Sequence, residues 1–343
     1  MLRNKFLVSI GLLAFSVAAF TVEPVLAQDK LRISLDTNPT HVRNKTAGIF
    51  AAELKKRVGD KISVEIYPSA QLFRDRDVPK ALRQGAIEMG IPGTWQLDGF
   101  EPNAAIQTLP MFYGASLDVV HQVMDGKLGQ FINKHIEDRL KVVIPGGWLD
   151  LGMQYFYSNT KPLDTYADFK GMKVRYPGGS ANAARLEGLG IVPMLVPYPD
   201  LPMALSQGVV DGVASTNESI ATAKLWDSGI KYSFEDGQFL AQYVPMISSD
   251  FWKKQSKDVQ DAIKASWQAA TTQGRGMAAK AQDLAREQMI QHGIKVVVPK
   301  PADVAAVRKS LMPLQDGLVK KMKIDPKSVE IALEELKAAK VEY

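Results

Sequence analysis

The sequence predicts an α/β protein built from two successive α/β units. Strand and helix patterns alternate in two successive units, at about 30–150 and about 150–240, as in open sheets with crossover helices. A long helical pattern at 258–292 follows both units and could pack across them. The chain has 343 residues, of which 46% are hydrophobic and 23% charged, which suits a globular protein of about two domains.

Each element is assigned from its period: strict alternation predicts strands, and a 3.6-residue apolar period predicts helices. In the first unit these are a strand at 31–36, a helix at 41–58, a strand at 62–67, a helix at 74–84 and a strand at 86–91. In the second they are strands at 142–145, 153–158 and 173–175, a helix at 180–188, a strand at 192–196, a helix at 200–208 and a strand at 212–215. A further helix is expected around 328–341.

The N-terminus has the three-part pattern of a secretory signal peptide. Arg3 and Lys5 precede an apolar stretch at 6–22, and a cut after Ala27 would follow small or apolar residues. We therefore expect residues 1–27 to be removed and the mature protein to be periplasmic. The alternative is an N-terminal membrane anchor, for which this stretch is short.

Composition and missing motifs exclude several classes of protein. The chain has no Cys, which removes disulfide frameworks, Cys-ligated zinc, iron–sulfur clusters and thiol nucleophiles. Its four histidines lack metal-ligand spacing, and nucleotide-binding glycine loops and the GxSxG motif are missing. We expect no metal and no cofactor. The net charge of +5 comes from interspersed basic and acidic residues, so we expect no nucleic acid, and a basic balance fits an anionic small ligand equally well.

Polar and aromatic residues that follow predicted strands are the first candidates for a site. In open α/β sheets, ligands bind outside the carboxyl ends of the strands. The residues at such positions, or at the link between the two units, are Thr94, Trp95, Trp148, Asp150, Gln154, Arg175, Ser215 and Asn217. Each also has a structural interpretation, because a strand-end Arg is often solvated and a Trp is often in the core.

Several motifs, in the right order, resemble solute-binding proteins of tripartite ATP-independent periplasmic (TRAP) transporters, the dicarboxylate-receptor (DctP-like) family. The segment PLDTYADFKGMKVR at 162–175 resembles the family's P-I-x-x-x-x-D-L-K-G-L-K-I-R run, and 190–212 resembles its G-x-x-P to V-D-G run. Shorter matches are YPSAQL at 67–72, DR at 75–76, GAIEM at 85–89 and LPMF at 109–112. The resemblance covers residues 31 to about 300.

This resemblance implies a periplasmic-binding-protein-like fold of two α/β domains with a ligand cleft between them. The domains would close on a carboxylate and pass it to the membrane permease subunits of a TRAP transporter. Hinge strands and the long helix would join domain 1, at 30–152 plus about 240–280, to domain 2, at 153–239 plus about 281–343. The Arg of the family's L-K-I-R strand, which holds the ligand carboxylate, corresponds to Arg175. A guanidinium matches a carboxylate in a bidentate fork.

The sequence departs from the family pattern at two positions. Gln154 stands where many members have a second Arg, which puts a second ligand carboxylate in doubt and favours a monocarboxylate. Ser215 stands where many members have a ligand-binding Asn, and Asn217 lies two residues on. The remaining candidate ligand contacts are Trp95, Thr94, Tyr198, Trp148, Asp150, Gln242, Tyr243, His41 and Asp75.

Two other functions are compatible with the same residues. An enzyme acting on a small organic acid could use Asp150, Asp200 or Glu218 as a general base. A periplasmic sensory receptor would bind the same ligand but dock on a membrane sensor. The transport receptor, acting as a monomer without catalysis, is the function that we predict.

Overall fold

The computed structural model describes residues 29–341, and the predicted signal peptide at 1–27 lies outside them. The strands of the described part are β1 (Asp29–Ser34), β2 (Ile62–Tyr67), β3 (Met89–Gly90), β4 (Val142–Val143), β5 (Leu149–Met153), β6 (Tyr155–Ser158), β7 (Lys173–Tyr176), β8 (Val192–Leu195), β9 (Gly212–Ser215), β10 (Tyr232–Phe234), β11 (Leu240–Tyr243), β12 (Met246–Ser248) and β13 (Lys295–Val297). Its helices are α1 (Val42–Val58), α2 (Val78–Arg83), α3 (Leu117–Asp125), α4 (Lys127–Leu140), α5 (Ser180–Gly188), α6 (Leu201–Ser206), α7 (Asn217–Thr222), α8 (Ser249–Lys254), α9 (Lys257–Gln291), α10 (Pro301–Leu311), α11 (Gln315–Met322) and α12 (Pro326–Ala338).

Two sheets form the centres of the two units. The first has the strand order β2-β1-β3-β12-β4, with β1 parallel to β2 and β3. The second has the order β13-β10-β6-β9-β7-β8, with β7 parallel to β8 and β9 and β6 antiparallel to β9. Helices α1, α2 and α4 pack beside the first sheet, and α5, α6 and α7 accompany the second.

The two units are joined by paired strands and one helix. Strand β5 leads from the first sheet to the second, and β11 leads back to the first. The two strands pair antiparallel, with a register shift between Ala241 and Gln242. The 35-residue helix α9 packs against α1 of the first unit, β5 of the connection and α7 of the second unit. The predicted fold class is confirmed, including the long helix across both units.

The element bounds differ from the prediction in the region of α2 and β3. The helix predicted at 74–84 begins only at Val78, after a 3-10 turn at Asp75–Asp77, and Pro79 occupies its first turn, where the missing N–H is tolerated. The strand predicted from residue 86 begins at Met89. Residue 86 instead caps the C-terminus of the helix. Gly85 has a φ of 67°, and the Ala86 N–H donates to the Ala81 carbonyl at 2.9 Å.

The C-terminal helix corrects the predicted domain assignment of residues 326–338. We expected this segment in domain 2, but α12 packs on α3 and α4 of the first unit. Its apolar positions Ala332 and Leu336, four residues apart on one helix face, lie in that unit's core with Ile132. The other predicted domain bounds stay a prediction. Among residues 29–341, no helix combines the length and apolar character needed to cross a bilayer.

Candidate ligand-binding site

A cavity of about 260 Å³ lies between the two units. The carboxyl ends of β1, β7 and β9 meet it, as expected for a ligand site in α/β sheets. Its lining comprises Asp36, Thr37, Arg43, Arg74, Asp75, Arg76, Trp95, Gln96, Asp98, Gly99, Leu151, Gln154, Arg175, Pro177, Gly178, Gly179, Leu195, Pro197, Tyr198, Ala214, Ser215, Ser219 and Tyr243.

The wall from the first unit contains a buried arginine between two carboxylates. Arg43, in the first turn of α1, donates from Nη1 to Asp36 Oδ1 at 2.7 Å and from Nη2 to Asp75 Oδ1. Asp75 is fixed further, because its Oδ2 accepts from the Gly93 N–H at 3.1 Å. The Arg43 guanidinium also lies 4.3 Å from the centre of the Tyr243 ring. Each hydrogen bond of this cluster therefore limits the movement of Arg43.

The charges in this cluster shift the pKa values of its members. Burial lowers the pKa of Arg43, but the carboxylates of Asp75 and Asp36 outweigh it, so the net shift is upward. Burial and the nearby Asp75 raise the pKa of Asp36 to about 6, against the attraction of Arg43 and Arg175. With one arginine and two carboxylates, this cluster carries at most one negative charge in excess.

The wall from the second unit contains Arg175, the predicted anchor, in β7. Its Nε donates to the Val196 carbonyl at 2.8 Å, and its buried Nη2 has no hydrogen-bond partner among residues 29–341. Within the same residues, Arg175 forms no ion pair with a carboxylate. Burial lowers the pKa of Arg175 to about 10, although Asp36 favours its charged form. Arg175 thus remains a cation that lines the cavity with donors unused.

Gln154 and Ser215 extend this wall, and aromatic rings flank it. Gln154 lies between β5 and β6, and Ser215 ends β9. Tyr198 is held by a hydrogen bond from its hydroxyl to the Ser219 carbonyl at 2.9 Å. Trp95 and Tyr243 contact each other with ring centres 5.6 Å apart.

Polar contacts join the two units around the rim of the cavity. Arg74 of the first unit pairs with Asp200 of the second, with Nη1 to Oδ2 at 2.5 Å. The hydroxyl and N–H of Ser180 donate to Asp98 at 2.7 and 2.6 Å. The two units are therefore in contact on more than one side of the cavity.

Seven of the thirteen predicted site residues line the cavity: Arg175, Gln154, Ser215, Trp95, Tyr198, Tyr243 and Asp75. The structure does not place the other six there. Asp150 and Gln242 bond each other at 2.8 Å between the connecting strands, where Asp150 also contacts His121. They join β5 to β11 because these strands pair antiparallel.

The remaining four have structural partners or lie in the core. Trp148 is in the core of the first unit and donates from Nε1 to Asn133 at 2.8 Å. Asn217 accepts from the Tyr157 hydroxyl at 2.6 Å.

His41 precedes α1, where its Nδ1 accepts from the Arg43 N–H at 3.2 Å, and burial lowers its pKa to about 3, which keeps it neutral. Thr94 is buried at the start of a 3-10 turn. None of the four lines the cavity.

Sequence reasoning missed Asp36 and Arg43, which form the buried charge cluster of the first wall together with Asp75. A signal existed, because Asp36 follows the first strand and Arg43 opens the next helix, at the carboxyl end of β1. A cation in the first turn of a helix is unfavourable by itself, so its presence there indicates nearby carboxylates.

The arrangement suits the binding of a small anion. It offers unused arginine donors, a neutral amide and a hydroxyl, with aromatic rings beside them. Within residues 29–341, no group of three or more His, Cys, Asp or Glu side chains is placed to hold a metal ion.

Comparisons with known proteins agree on one family. The model of the family described as "Bacterial extracellular solute-binding protein, family 7" (DctP) matches residues 33–322. The C4-dicarboxylate-binding periplasmic protein DctP of Rhodobacter capsulatus is 25% identical over 90% of this chain and 91% of its own length. The 2,3-diketo-L-gulonate-binding periplasmic protein YiaO of Escherichia coli is 24% identical over 84% and 87%.

Solved structures share the fold. The sugar acid binding protein DctPAm of Advenella mimigardefordensis, in complex with galactonate, has a TM-score of 0.85 at 19% identity and covers 91% of this chain and 99% of its own. A TRAP periplasmic solute-binding protein of Sulfurospirillum deleyianum with bound succinate has a TM-score of 0.82 at 22% identity and covers 90% and 99%.

Proposed function

The chain belongs to family 7 of the bacterial extracellular solute-binding proteins, and we propose that it is a receptor that captures a small organic acid between its two units. The family is one of binding proteins, so the acid is released chemically unchanged. The relatives named above bind dicarboxylates or sugar acids, which supports an acid as the ligand.

One observation supports this proposal above the others: Arg175 lines the cavity, and in the described part of the chain its guanidinium has no ion-pair partner and its Nη2 has no hydrogen-bond partner. A buried charge without a partner is costly, so proteins rarely retain one that has no function. A ligand carboxylate would satisfy Nη2 with charge-assisted hydrogen bonds of roughly 1.5–3 kcal/mol each. In this proposal, Gln154 and Ser215 bind other oxygens of the acid. The rings of Trp95, Tyr198 and Tyr243 enclose the carbon skeleton of the acid.

Closure of the two units is the mechanism of capture. The connecting strands β5 and β11 are short, and the rim contacts of Arg74 with Asp200 and of Ser180 with Asp98 bridge the units. A ligand that binds the closed arrangement better than the open one shifts the equilibrium toward it. The bound acid then replaces water around Arg175.

The partner in this proposal is the membrane permease of a TRAP transporter. Similar solved proteins are described as TRAP periplasmic solute-binding proteins, and curated relatives as periplasmic. We propose the same compartment here, reached through the signal peptide predicted at 1–27, and a monomeric receptor that delivers its acid to an ion-driven permease.

A thermal-shift screen tests the proposal. Mature protein, stripped of retained ligand, is heated with monocarboxylates, dicarboxylates, 2-oxo acids, aromatic acids and sugar acids. An acid at 1,000 times its dissociation constant stabilises the protein by about 4 kcal/mol, which raises the midpoint by several degrees. We expect a response to one class of acid and none in Arg175→Ala, because that variant lacks the anchor.

Arg286→Ala is the matched control. It removes an arginine of the second unit that pairs with Glu235 outside the cavity, so it should keep the response. A screen without any response, or an Arg175→Ala variant with unchanged affinity, would overturn the proposal.

A further inference from the structure

A second buried arginine lies behind the cavity wall, in contact with Gln154. Arg185, in α5, is 2% exposed and is not part of the cavity lining. Its Nη2 donates to Gln154 Oε1, and Gln154 does line the cavity. Gln154 therefore separates Arg185 from whatever fills the cavity.

The surroundings of Arg185 hold it in place without neutralising it. Its other acceptors are amide oxygens, Gln238 Oε1 at 3.0 Å and Asn182 Oδ1 at 3.2 Å. Its guanidinium lies 4.8 Å from the ring centre of Phe239. Among residues 29–341, no carboxylate forms an ion pair with Arg185. The charge of Arg185 is thus available to polarise the Gln154 amide.

This contact decides which end of the Gln154 amide meets the cavity. A guanidinium has only donors, so Arg185 can accept nothing and must face the amide oxygen. The Gln154 Nε2 then points away from Arg185, and it has no hydrogen-bond partner within the described residues. A rotated amide would place two donors against each other and lose this hydrogen bond. The wall therefore offers a donor at Gln154.

The sheet places this donor at a defined distance from Arg175. Strand order is β6-β9-β7, and Tyr155, next to Gln154, pairs with Ser215, while Arg175 pairs with Val213. Gln154, Ser215 and Arg175 thus follow one another along the same sheet edge. Two strand spacings, roughly 10 Å, separate β6 from β7, and Gln154 also lies further along the sheet than Arg175, because Arg175 is level with Val213 and Gln154 lies beyond Ser215.

We propose that Arg185 is a positioning residue that fixes Gln154 as a hydrogen-bond donor, so that the site selects acids with a second acceptor oxygen remote from the carboxylate held by Arg175. This inference rests on the proposed function. Hydroxy acids, oxo acids and dicarboxylates carry such an oxygen, and unsubstituted alkanoates of the same length do not. Arg185 acts on the ligand only through Gln154.

Isothermal titration with two matched pairs of acids tests the inference. The pairs are 6-hydroxyhexanoate with hexanoate and 4-hydroxybutanoate with butanoate, which share chain length and charge and differ by one hydroxyl. In the wild type, at least one oxygenated acid should bind about tenfold more tightly than its partner. Gln154→Met should remove this preference and leave the affinity for the alkanoate unchanged.

A double-mutant cycle separates positioning from general structure. Arg185→Met should lower the affinity for the oxygenated acid about as much as Gln154→Met, and should have no further effect in the Gln154→Met background. Arg185→Lys should recover part of the preference, because an ammonium also faces the amide oxygen. Urea unfolding of each variant checks that it is folded.

Three results would overturn the inference: additive effects in the cycle, equal losses for oxygenated acids and alkanoates, or no preference in the wild type. The proposed function is judged separately. If Arg175→Ala abolishes binding of the acids found in the screen while the Gln154 and Arg185 variants do not alter selectivity, only the inference about Arg185 fails.

Discussion

The two walls of the cavity each contain a buried arginine, and their surroundings are opposite. Arg43 of the first wall lies between Asp36 and Asp75, which raise its pKa. Among residues 29–341, the hydrogen-bond partner of Arg175 of the second wall is the carbonyl of Val196, and burial lowers its pKa to about 10. Both side chains are nearly inaccessible to solvent.

The difference separates a structural cation from a ligand-binding cation. The charge of Arg43 is matched by two carboxylates, although its Nε has no hydrogen-bond partner among residues 29–341, so its loss should affect folding. The charge of Arg175 is unused in the absence of ligand, so its loss should affect binding. Burial and residue type alone therefore do not identify a binding arginine, whereas its ion-pair partners do.

The largest effect that we predict concerns the stability of the ligand-free protein. Arg43→Met should lower the free energy of unfolding by about 3–5 kcal/mol, because Asp36 and Asp75 would remain buried without a cation. Arg175→Met should change it by less than about 1 kcal/mol, because no carboxylate loses a partner. Urea denaturation followed by circular dichroism measures both.

The control is a triple variant with Arg43→Met, Asp36→Asn and Asp75→Asn. It should restore part of the lost stability, because the amides that replace the two carboxylates carry no charge. Equal destabilisation by Arg43→Met and Arg175→Met would contradict the distinction between the two arginines.

An intermediate effect on stability is expected at Glu218, a buried carboxylate at the contact between the units. Among residues 29–341, Glu218 forms no ion pair with an arginine. Its Oε1 accepts from the Val42 N–H at 2.5 Å, and its Oε2 has no hydrogen-bond partner in the described part of the chain. Burial raises its pKa from 4.5 to about 7. The folded state therefore binds this proton more tightly than the unfolded state, and the stability contributed by Glu218 falls as pH rises from about 4.5 to 7.

Glu218→Gln removes that pH dependence and keeps an oxygen for the Val42 N–H. We expect the variant to unfold at the same urea concentration as the wild type at pH 4 and to be about 3 kcal/mol more stable at pH 8. Asp36 and Asp236 also have raised pKa values, so the difference between the two pH curves is the quantity to compare. A constant difference across this range would show that the ionisation of Glu218 does not carry the effect.

The smallest effect concerns the rim. The ion pair of Arg74 with Asp200 bridges the units, but about 40% of each side chain is exposed. Such pairs contribute roughly 0–1 kcal/mol. Arg74→Ala should therefore weaken binding of the acid found in the screen about twofold to threefold, and less so at 0.5 M salt (about a 4 Å screening length).

Arg76→Ala is the matched control, because Arg76 also lines the cavity but, within residues 29–341, forms its ion pair with its neighbour Asp77 and not across the units. It should leave affinity unchanged. A tenfold loss in Arg74→Ala that persists in high salt would indicate that Arg74 contacts the ligand directly.

Much of the fold could be predicted from local patterns. The bounds of α5 and β9 agree with the predicted helix at 180–188 and strand at 212–215, and α9 differs from 258–292 by one residue at each end. Residues 326–338 were assigned to the wrong unit, because an amphipathic helix specifies that one face is buried but not against which neighbour.

The site could be predicted only in part. Arg175 was identified from its strand and motif, and it does line the cavity. Asp150 and Gln242 were also predicted there, but the antiparallel pairing of β5 with β11 directs their polar groups to each other. A contact between residues 92 positions apart cannot be predicted from periodicity, because the period of a strand specifies which side chains share a face and not which strand lies beside it.

The sequence by itself determined the alternation of strands and helices, the two-unit α/β class and the position of an arginine at a strand end. The tertiary structure alone decided which cations are neutralised. Arg43 meets Asp75 from 32 positions away, and Arg185 meets Gln154 from 31 positions away. These contacts depend on sheet order and on how the two units pack. Because the interaction of two charges depends on the distance between them, the sequence alone does not distinguish a paired arginine from one without an ion-pair partner.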